Sequence, residues 1–474
     1  MGANISLGKP IEEVPEHGKQ VTLEFLNKHW SENIATAQVE PVLAETREGV
    51  YKEDGGGASG PNIVRVLLTW KDGKYNDDQP ESCVLKSENN LIVPKEPFAT
   101  RLIRNICDFI SVELQANEQN WYRVNSKIAV ENGYSMPRVY CTVRSHNLVK
   151  RPNARQLVAR DSRQNFRTCT VMEDLKNYKS PPQQKNLSKE QVKAALKNMA
   201  ALHSAYWGKV DDYEWIDGST TRACTWLQNV LITVDPKLPL LGKGKLNFHK
   251  SRILEDIVKM YDTPLGNKLY HEFCDGKNWL TDDDTLAALF AFRKRLQDDD
   301  SARNRVINTP LEYQTLIHGD CHGWNHMFLK EENSTLPAVK AVDFGMVGNG
   351  RPTWDVAYFM SQSVDGTDYE SDLEALRVYY DALVSAVDKN PKFDSNAYTF
   401  DAFQAEYFRV FATYLVGTLS LIKNLLTPKY LEKQRLKKND DGKGESLTYL
   451  TIKLHERIFQ RTINYHKKGV FEKL

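Results

Sequence analysis

Two short stretches in the C-terminal half constrain this chain more than anything else in it. They are Ile317-His318-Gly319-Asp320-Cys321-His322-Gly323-Trp324-Asn325 and Val342-Asp343-Phe344-Gly345. An acid, an amide five residues on and a second acid just past a hairpin are the residue types that phosphoryl transfer from Mg-ATP needs. That chemistry asks for one carboxylate to accept or orient a hydroxyl proton, and for oxygen ligands that hold magnesium on the phosphates. Between the two stretches, His326-Met327-Phe328-Leu329-Lys330 and Ala338-Val339-Lys340-Ala341-Val342 read as antiparallel strands around a polar turn at Glu332-Asn333-Ser334. Such a pair brings the start of its first strand beside the end of its second, so Asn325 and Asp343 are expected to meet at one end. Asp320 and Asp343 as helix caps, with His318 and His322 as core histidines, form the plain structural alternative. That alternative does not readily produce D-x-x-x-x-N, a hairpin and D-F-G in this order.

The chain has 474 residues, long enough for two or three domains or one large two-lobed enzyme. Lys plus Arg number 63 against 62 Asp plus Glu, and this balance gives no general attraction to phosphate backbones, so nucleic-acid binding is not expected. Seven cysteines lie scattered without CxxC spacing, a set that suits a reduced, cytoplasmic protein and neither a disulfide framework nor a zinc site. No apolar run approaches the ~18 residues of a membrane span. Glu12, Glu13, Glu16 and Lys19 interrupt any signal-peptide core. Met1-Gly2-Ala3-Asn4-Ile5-Ser6 fits the pattern for myristoylation of Gly2; a single acyl chain would anchor only weakly, and a trimmed soluble start is the plain reading.

Along the chain, residues 1–50 read as an N-terminal extension. A glycine-rich turn at 54–60 precedes an alternating strand over 63–70 and an Asp-Gly hairpin signature at Asp72-Gly73. Cys83-Val84-Leu85-Lys86 reads as the next strand, a helical pattern covers 98–124, and two more strands are expected over 137–143 and 167–172. After Glu173-Asp174-Leu175 the pattern changes. Lys179-Ser180-Pro181-Pro182-Gln183-Gln184 is a breaker-rich linker, and Ser188-Lys189-Glu190-Gln191 is a capping box that opens a strong helix. Val192, Ala195, Leu196, Met199, His203 and Tyr206 fall on one face of it. Beyond Asp343 the chain reads as mostly helical, for example over 403–426, with a Lys- and Asp-rich surface loop over 429–446. This grammar predicts an α+β protein of two lobes: an extension (1–50), a small β-rich nucleotide-binding N-lobe (51–175) and a larger, mainly helical C-lobe (176–474). The C-lobe would carry the catalytic loop, the metal site and an acceptor-binding region.

The N-lobe supplies candidate partners for ATP. Gly56, Gly57 and Ser59 could lie close over phosphates, since glycine lets the backbone approach and turn its N–H groups inward. A flexible surface loop is the plain alternative. Lys86, at the end of an apolar strand, could pair the phosphates as a point charge. Glu113 and Glu118 on the following helix are both candidates to hold Lys86; five residues apart, they lie on different faces. The backbone at Met172, Glu173 and Leu175 is the expected adenine contact. His203, on an apolar helix face, reads as a structural hydrogen-bonding residue.

These pieces resemble the aminoglycoside phosphotransferase and choline kinase-like superfamily, most closely its ecdysteroid kinase-like branch. The matching segments are Cys83-Val84-Leu85-Lys86, Glu118-x-x-Trp121-Tyr122, Met136-Pro137-Arg138-Val139-Tyr140, Met172-Glu173-Asp174-Leu175, Ala201-Leu202-His203-Ser204-Ala205-Tyr206-Trp207, the stretch from His318 to Asn325, Val342-Asp343-Phe344-Gly345 and Trp354-Asp355-Val356-Ala357-Tyr358. The resemblance implies a protein-kinase-like fold with Asp320 as catalytic base, Asn325 and Asp343 as magnesium ligands, Lys86 paired with Glu118, Asp355 bracing the catalytic loop, and His318 as a structural support. Two departures stand out: Gly345 follows Asp-Phe where many relatives carry Gln or another residue, and the glycine-rich loop fits no strict kinase pattern.

The expected activity is therefore ATP- and Mg²⁺-dependent phosphorylation of a small-molecule alcohol: an amino alcohol, an aminoglycoside-like compound or a steroid-like alcohol. Two alternatives compete with this activity. A protein Ser/Thr kinase would carry Arg where Gly319 stands, and a long activation segment ending in A-P-E. Here Trp354-Asp355 follows Asp343 by only 12 positions, and no A-P-E occurs. A non-catalytic, kinase-like nucleotide-binding protein would not need every catalytic residue type, and all are present. Trp354, Tyr358, Phe403, Tyr407, Phe411 and Tyr414 are candidate pocket aromatics, although helical spacing of this kind more often marks core. Residues 361–406 hold ten acids against three basic residues, which suits a cationic acceptor and equally a solvated acidic face.

Overall fold

The computed structural model describes residues 4–10, 14–15, 20–41, 62–89, 114–151, 167–181, 185–209, 252–307, 313–329, 337–441 and 447–474. The described chain forms two compact units. The first comprises the described residues up to Ser180 together with Asn325–Gly348, and the second the remainder. The first is β-rich and the second helical, so the protein is of the α+β, two-lobed class read from its sequence.

The first unit holds β1 (Asn4–Pro10), α1 (Leu23–His29), β2 (Ile34–Pro41), β3 (Asn62–Trp70), β4 (Ser82–Asn89), β5 (Val139–Arg144), β6 (His146–Arg151) and β7 (Arg167–Glu173). Strands β2, β3, β4, β7 and β5 form, in that order, one antiparallel sheet, and β1 pairs with β6. The alternation on β3 explains the sheet. Val64, Val66, Leu68 and Trp70 are buried, with Leu26, Ile34, Cys83, Leu85, Cys169 and Val171 in the same core, while Leu67 is exposed. A side-chain period of two places one set inward and the other outward. Residues 34–41, assigned to an extension on sequence, are the edge strand of this sheet. Their alternation is interrupted by small and polar residues, and the partner β3 completes it. A second antiparallel pair, β10 (His326–Leu329) with β11 (Val339–Ala341), is the expected hairpin, and β8 (Tyr178–Lys179) adds to its outer edge.

In the second unit, α3 (Lys189–Tyr206) begins with the expected box: Ser188 Oγ accepts from the Gln191 N–H, and Gln191 Oε1 accepts from the Ser188 N–H. The six residues predicted on its apolar face are all buried. The helices α8 (Pro352–Ser363), α9 (Tyr369–Val387), α10 (Phe400–Leu425), α11 (Pro428–Asp441) and α12 (Leu447–Lys467) follow the β10–β11 hairpin in sequence. Helix α11 corrects the expectation of a surface loop over residues 429–441, and residues 442–446 lie outside the described residues. Thr427 caps it through the N–H of Tyr430, and Glu432 pairs with Arg435 at 2.6 Å. Charged residues such as Lys, Glu and Arg carry little helix penalty, so a polar run with a cap can stay helical.

A buried ion pair ties three of these helices together. Arg461 on α12, fully buried, donates from Nε to Asp372 Oδ2 at 2.7 Å and from Nη2 to Oδ1 at 3.1 Å. Tyr465 donates to the same carboxylate at 2.9 Å and meets Tyr407 of α10 at 3.0 Å. Both Arg461–Asp372 bonds are charge-assisted and parallel, which offsets much of the cost of taking the charges out of water. Asp372→Ala leaves the guanidinium without its counter-charge, so a loss of about 3–5 kcal/mol is expected. Thermal unfolding of the purified variant should show a midpoint lower by roughly 3–9 °C; an unchanged midpoint would contradict this role.

Candidate active site

Lys86 sits on β4, the middle strand of the first unit's sheet. Its Nζ lies 2.6 Å from Glu118, 3.2 Å from Glu88 and 3.9 Å from Asp343. Glu118 comes from the helical residues 114–120, whose next turn widens into a π-helix over Trp121–Asn125. The hydroxyl of Tyr122 donates to the second Glu118 oxygen at 3.3 Å. Burial works against the Lys86 charge, but Glu118, then Glu88 and Asp343, override it and hold the ammonium well above its ordinary pKa. Burial also lifts the Glu118 carboxyl above the usual range, against the pull of Lys86. Glu113, the other candidate partner, lies outside the described residues. Glu88 was not singled out from the sequence, although its position two residues beyond Lys86 on one strand puts both side chains on the same face.

The same helical segment grips the Asp343-Phe344-Gly345 turn. Phe344, fully buried, stacks on Trp121 at 5.0 Å and 22° and meets the edges of Tyr122 and Tyr134. The Asn117 amide donates to the carbonyls of Gly345 at 2.9 Å and Val347 at 2.5 Å. Asp343 has φ +70°, a conformation a non-glycine residue adopts at a cost of order 1–3 kcal/mol when its surroundings over-determine it. Packing of Phe344 and the two Asn117 bonds supply that constraint. In the hairpin, His326 pairs with Ala341 and the Val342 N–H donates to the Asn325 carbonyl at 2.9 Å, so Asn325 and Asp343 belong to the same end of it. Asn325 is buried, whereas the Asp343 side chain remains 46% exposed.

Among the described residues no group of three His, Cys, Asp or Glu side chains is arranged to hold a metal by itself. Magnesium does not need such a cage: it is usually held by one or two carboxylates together with phosphate oxygens and water. One half-exposed carboxylate with an amide from the same hairpin end is a donor set of that kind.

Of the expected adenine contacts, Glu173 is heavily committed. Its N–H donates to the Arg138 carbonyl at 2.8 Å and its carboxylate pairs with Lys340. The Leu175 carbonyl accepts from the Tyr178 N–H at 2.8 Å, and Met172 is buried at the end of β7. Gly56, Gly57, Ser59 and Gly2 lie outside the described residues.

In the second unit, β9 (Thr315–Ile317) leads into the loop that carries Asp320. Asp355, in the first turn of α8 and fully buried, accepts from the N–H groups of His318 at 2.6 Å and Gly319 at 2.9 Å. His203 Nε2 lies 3.1 Å from the same carboxylate, and its Nδ1 lies 2.6 Å from the Tyr379 hydroxyl. A carboxylate can only accept, so Nε2 carries a proton towards Asp355. Gly319 has φ +82°, which the turn into Asp320 requires and which glycine adopts without a steric cost. The Gly323 N–H donates to Ser363 Oγ at 2.6 Å, fixing the far side of the loop to the end of α8.

Asp320 Oδ1 accepts from the Tyr358 hydroxyl at 3.0 Å, and Oδ2 lies 3.6 Å from His322 Nε2. Burial alone would raise its pKa, but His322, then His318 and the Tyr358 hydrogen bond, hold the carboxyl well below the usual range. It is therefore a carboxylate throughout the neutral range. Tyr358 and His322 were visible in the sequence as parts of motifs, but nothing there marked them as partners of Asp320. Among the six candidate pocket aromatics, Trp354, Phe403, Tyr407 and Phe411 are buried; only Tyr358 and Tyr414 are partly exposed. Helical spacing alone does not separate core from pocket, and here the core claimed four.

No helix among the described residues is long and apolar enough to cross a membrane. No curated protein matches the chain. Solved structures similar to it include a microcompartment-associated aminopropanol kinase, 10% identical over 87% of this chain and 92% of that one, with a TM-score of 0.35. A choline kinase from Cryptosporidium parvum is 9% identical over 92% and 91%, with a TM-score of 0.34. An ethanolamine kinase from Plasmodium vivax is 11% identical over 90% and 83%, with a TM-score of 0.33. Residues 250–390, which span the Asp320 loop, the Asp343 turn and Asp355, match the model of the ecdysteroid kinase-like family, and the chain resembles that family as its motifs indicated.

Proposed function

We propose that the protein is a small-molecule kinase, transferring the γ-phosphoryl group of ATP to an alcohol in a magnesium-dependent reaction. The observation that carries this reading is the Lys86 ammonium held by Glu118 with Asp343 3.9 Å away, in the unit that also holds Asn325. One ammonium among three carboxylates leaves a net negative site, which suits a divalent cation next to a lysine that can reach phosphate oxygens. The family match over residues 250–390 supports the reading.

In this mechanism Lys86, kept charged, pairs the phosphates. Asn325 and Asp343 would hold magnesium, which neutralises charge on the phosphate oxygens when bound. The acceptor oxygen attacks the γ-phosphorus, the bond from that phosphorus to the β,γ-bridging oxygen breaks, and ADP departs. The acceptor proton passes to Asp320. A carboxylate held far below neutral pH is a weak base, so Asp320 acts first by orienting the hydroxyl and receives the proton as the oxygen loses electron density. Asp355 and His203 position the loop without touching substrate. The short interval from Asp343 to α8, which begins at Pro352, leaves no long segment to hold a peptide, and this favours a small acceptor.

Thermal unfolding should show stabilisation by Mg-ATP that weakens in Lys86→Ala; no shift with any nucleotide would count against the reading. With nucleotide binding in hand, an ATP-consumption screen against choline, ethanolamine, aminoglycosides and steroid alcohols should identify an acceptor. In the same assay Asp343→Ala and Asn325→Ala should lower turnover by roughly a hundredfold or more and raise the magnesium concentration needed for half-maximal rate. Unchanged magnesium dependence in both variants would remove these residues from the metal site.

A further inference from the structure

Asp320 does not orient itself. Its own loop contributes His318, whose Nδ1 lies 3.4 Å from the Asp320 N–H, and His322, 3.6 Å from Oδ2. A further contact comes from outside the loop, where Tyr358 on α8 donates to Oδ1 at 3.0 Å. Tyr358 follows Asp355 by three residues on that helix, so the brace of the loop and the partner of its acid lie on one face. The phenol ring is itself confined. It packs on Tyr414 at 5.4 Å and faces His322 at 6.2 Å, and Tyr414 stacks on Trp354 at 4.6 Å and 30°. A hydroxyl on a ring packed in this way has little freedom to follow a carboxylate; the carboxylate must adopt the rotation that suits the hydroxyl.

We infer that Tyr358 is a positioning residue for phosphoryl transfer: its hydroxyl commits Asp320 Oδ1 and turns Oδ2 to the side of His322, where the acceptor hydroxyl is to be received. The inference rests on the phosphotransferase reading and deepens it. Tyr358 acts through Asp320 and holds no proton in transit. Among the described residues, the titratable groups that act on or are acted on by the Asp320 carboxylate include His318, Cys321 and His322 of its own loop and Tyr358 of α8. Deleting the phenolic hydroxyl removes one stabiliser of the ionised acid, so Asp320 takes up a proton at higher pH and activity is lost earlier on the acid side.

Tyr358→Phe keeps the stacked ring and removes only the hydroxyl. A double-mutant cycle of Tyr358→Phe with Asp320→Ala, which removes the acceptor oxygen altogether, read by thermal unfolding, tests the contact without any need for turnover. Non-additive midpoint shifts are expected, and additive shifts would overturn the inference. The second arm measures kcat against pH with an acceptor found in the screen. Tyr358→Phe should lower kcat by roughly tenfold, leave KM for ATP unchanged and move the acid limb upward. Non-additive stability with an unmoved acid limb would reduce Tyr358 to a structural contact and overturn the positioning role. Wild-type protein that binds nucleotide yet turns over no acceptor would contradict the phosphotransferase reading and with it any catalytic positioning, while the cycle still decides the contact.

Discussion

The carboxylate of Asp355 is the interaction on which the second unit's site depends. A carboxylate with no exposed surface would cost several kcal/mol if left unsatisfied. Here it accepts from two successive backbone N–H groups and from His203, and it lies in the first turn of a helix, where the dipole favours negative charge. These bonds fix the path of His318 and Gly319, and the positive φ of Gly319 then delivers Asp320. His203 extends the network through Tyr379 into α9, so the loop is anchored to the helical core and not merely capped by it.

In the first unit a single helical segment plays the corresponding part. Residues Asn117, Glu118, Trp121 and Tyr122 are consecutive or one turn apart. Glu118 holds Lys86, Asn117 holds the carbonyls of Gly345 and Val347, and the two aromatic rings enclose Phe344. The lysine and the strained acid Asp343 are therefore placed by one element. A displacement of that segment would loosen both together, which makes its packing as consequential as the charged residues themselves.

Much of this was legible in the sequence because it is local. The hairpin between Asn325 and Asp343 is set by a period of two and a polar turn, and the Ser188 box by a four-residue pattern. Lys86 and Glu118, 32 positions apart, needed the resemblance to be paired, since helix and strand periodicity fixes faces and not which face meets which. The Tyr358–Asp320 bond and the Asn117 bonds to Gly345 and Val347 were not legible at all, because they join residues 38 and more than 200 positions apart with no pattern linking them. Polar composition misled over 429–441, where a cap and an i,i+3 ion pair make helix α11. The aromatic stripe left pocket and core open, and Phe403, Tyr407 and Phe411 took the core that helical spacing favours.

The central claim is that Asp320 serves the acceptor and not the nucleotide. Asp320→Asn keeps the side chain's size and its place beside Tyr358, but removes the charge and the base. ATP affinity and acceptor phosphorylation should be measured on the same purified variant. Affinity should remain near the wild-type value while turnover falls by roughly a hundredfold or more, the usual scale for losing general-base help. Retained turnover would take Asp320 out of the reaction, and a parallel loss of ATP affinity would move it to the nucleotide.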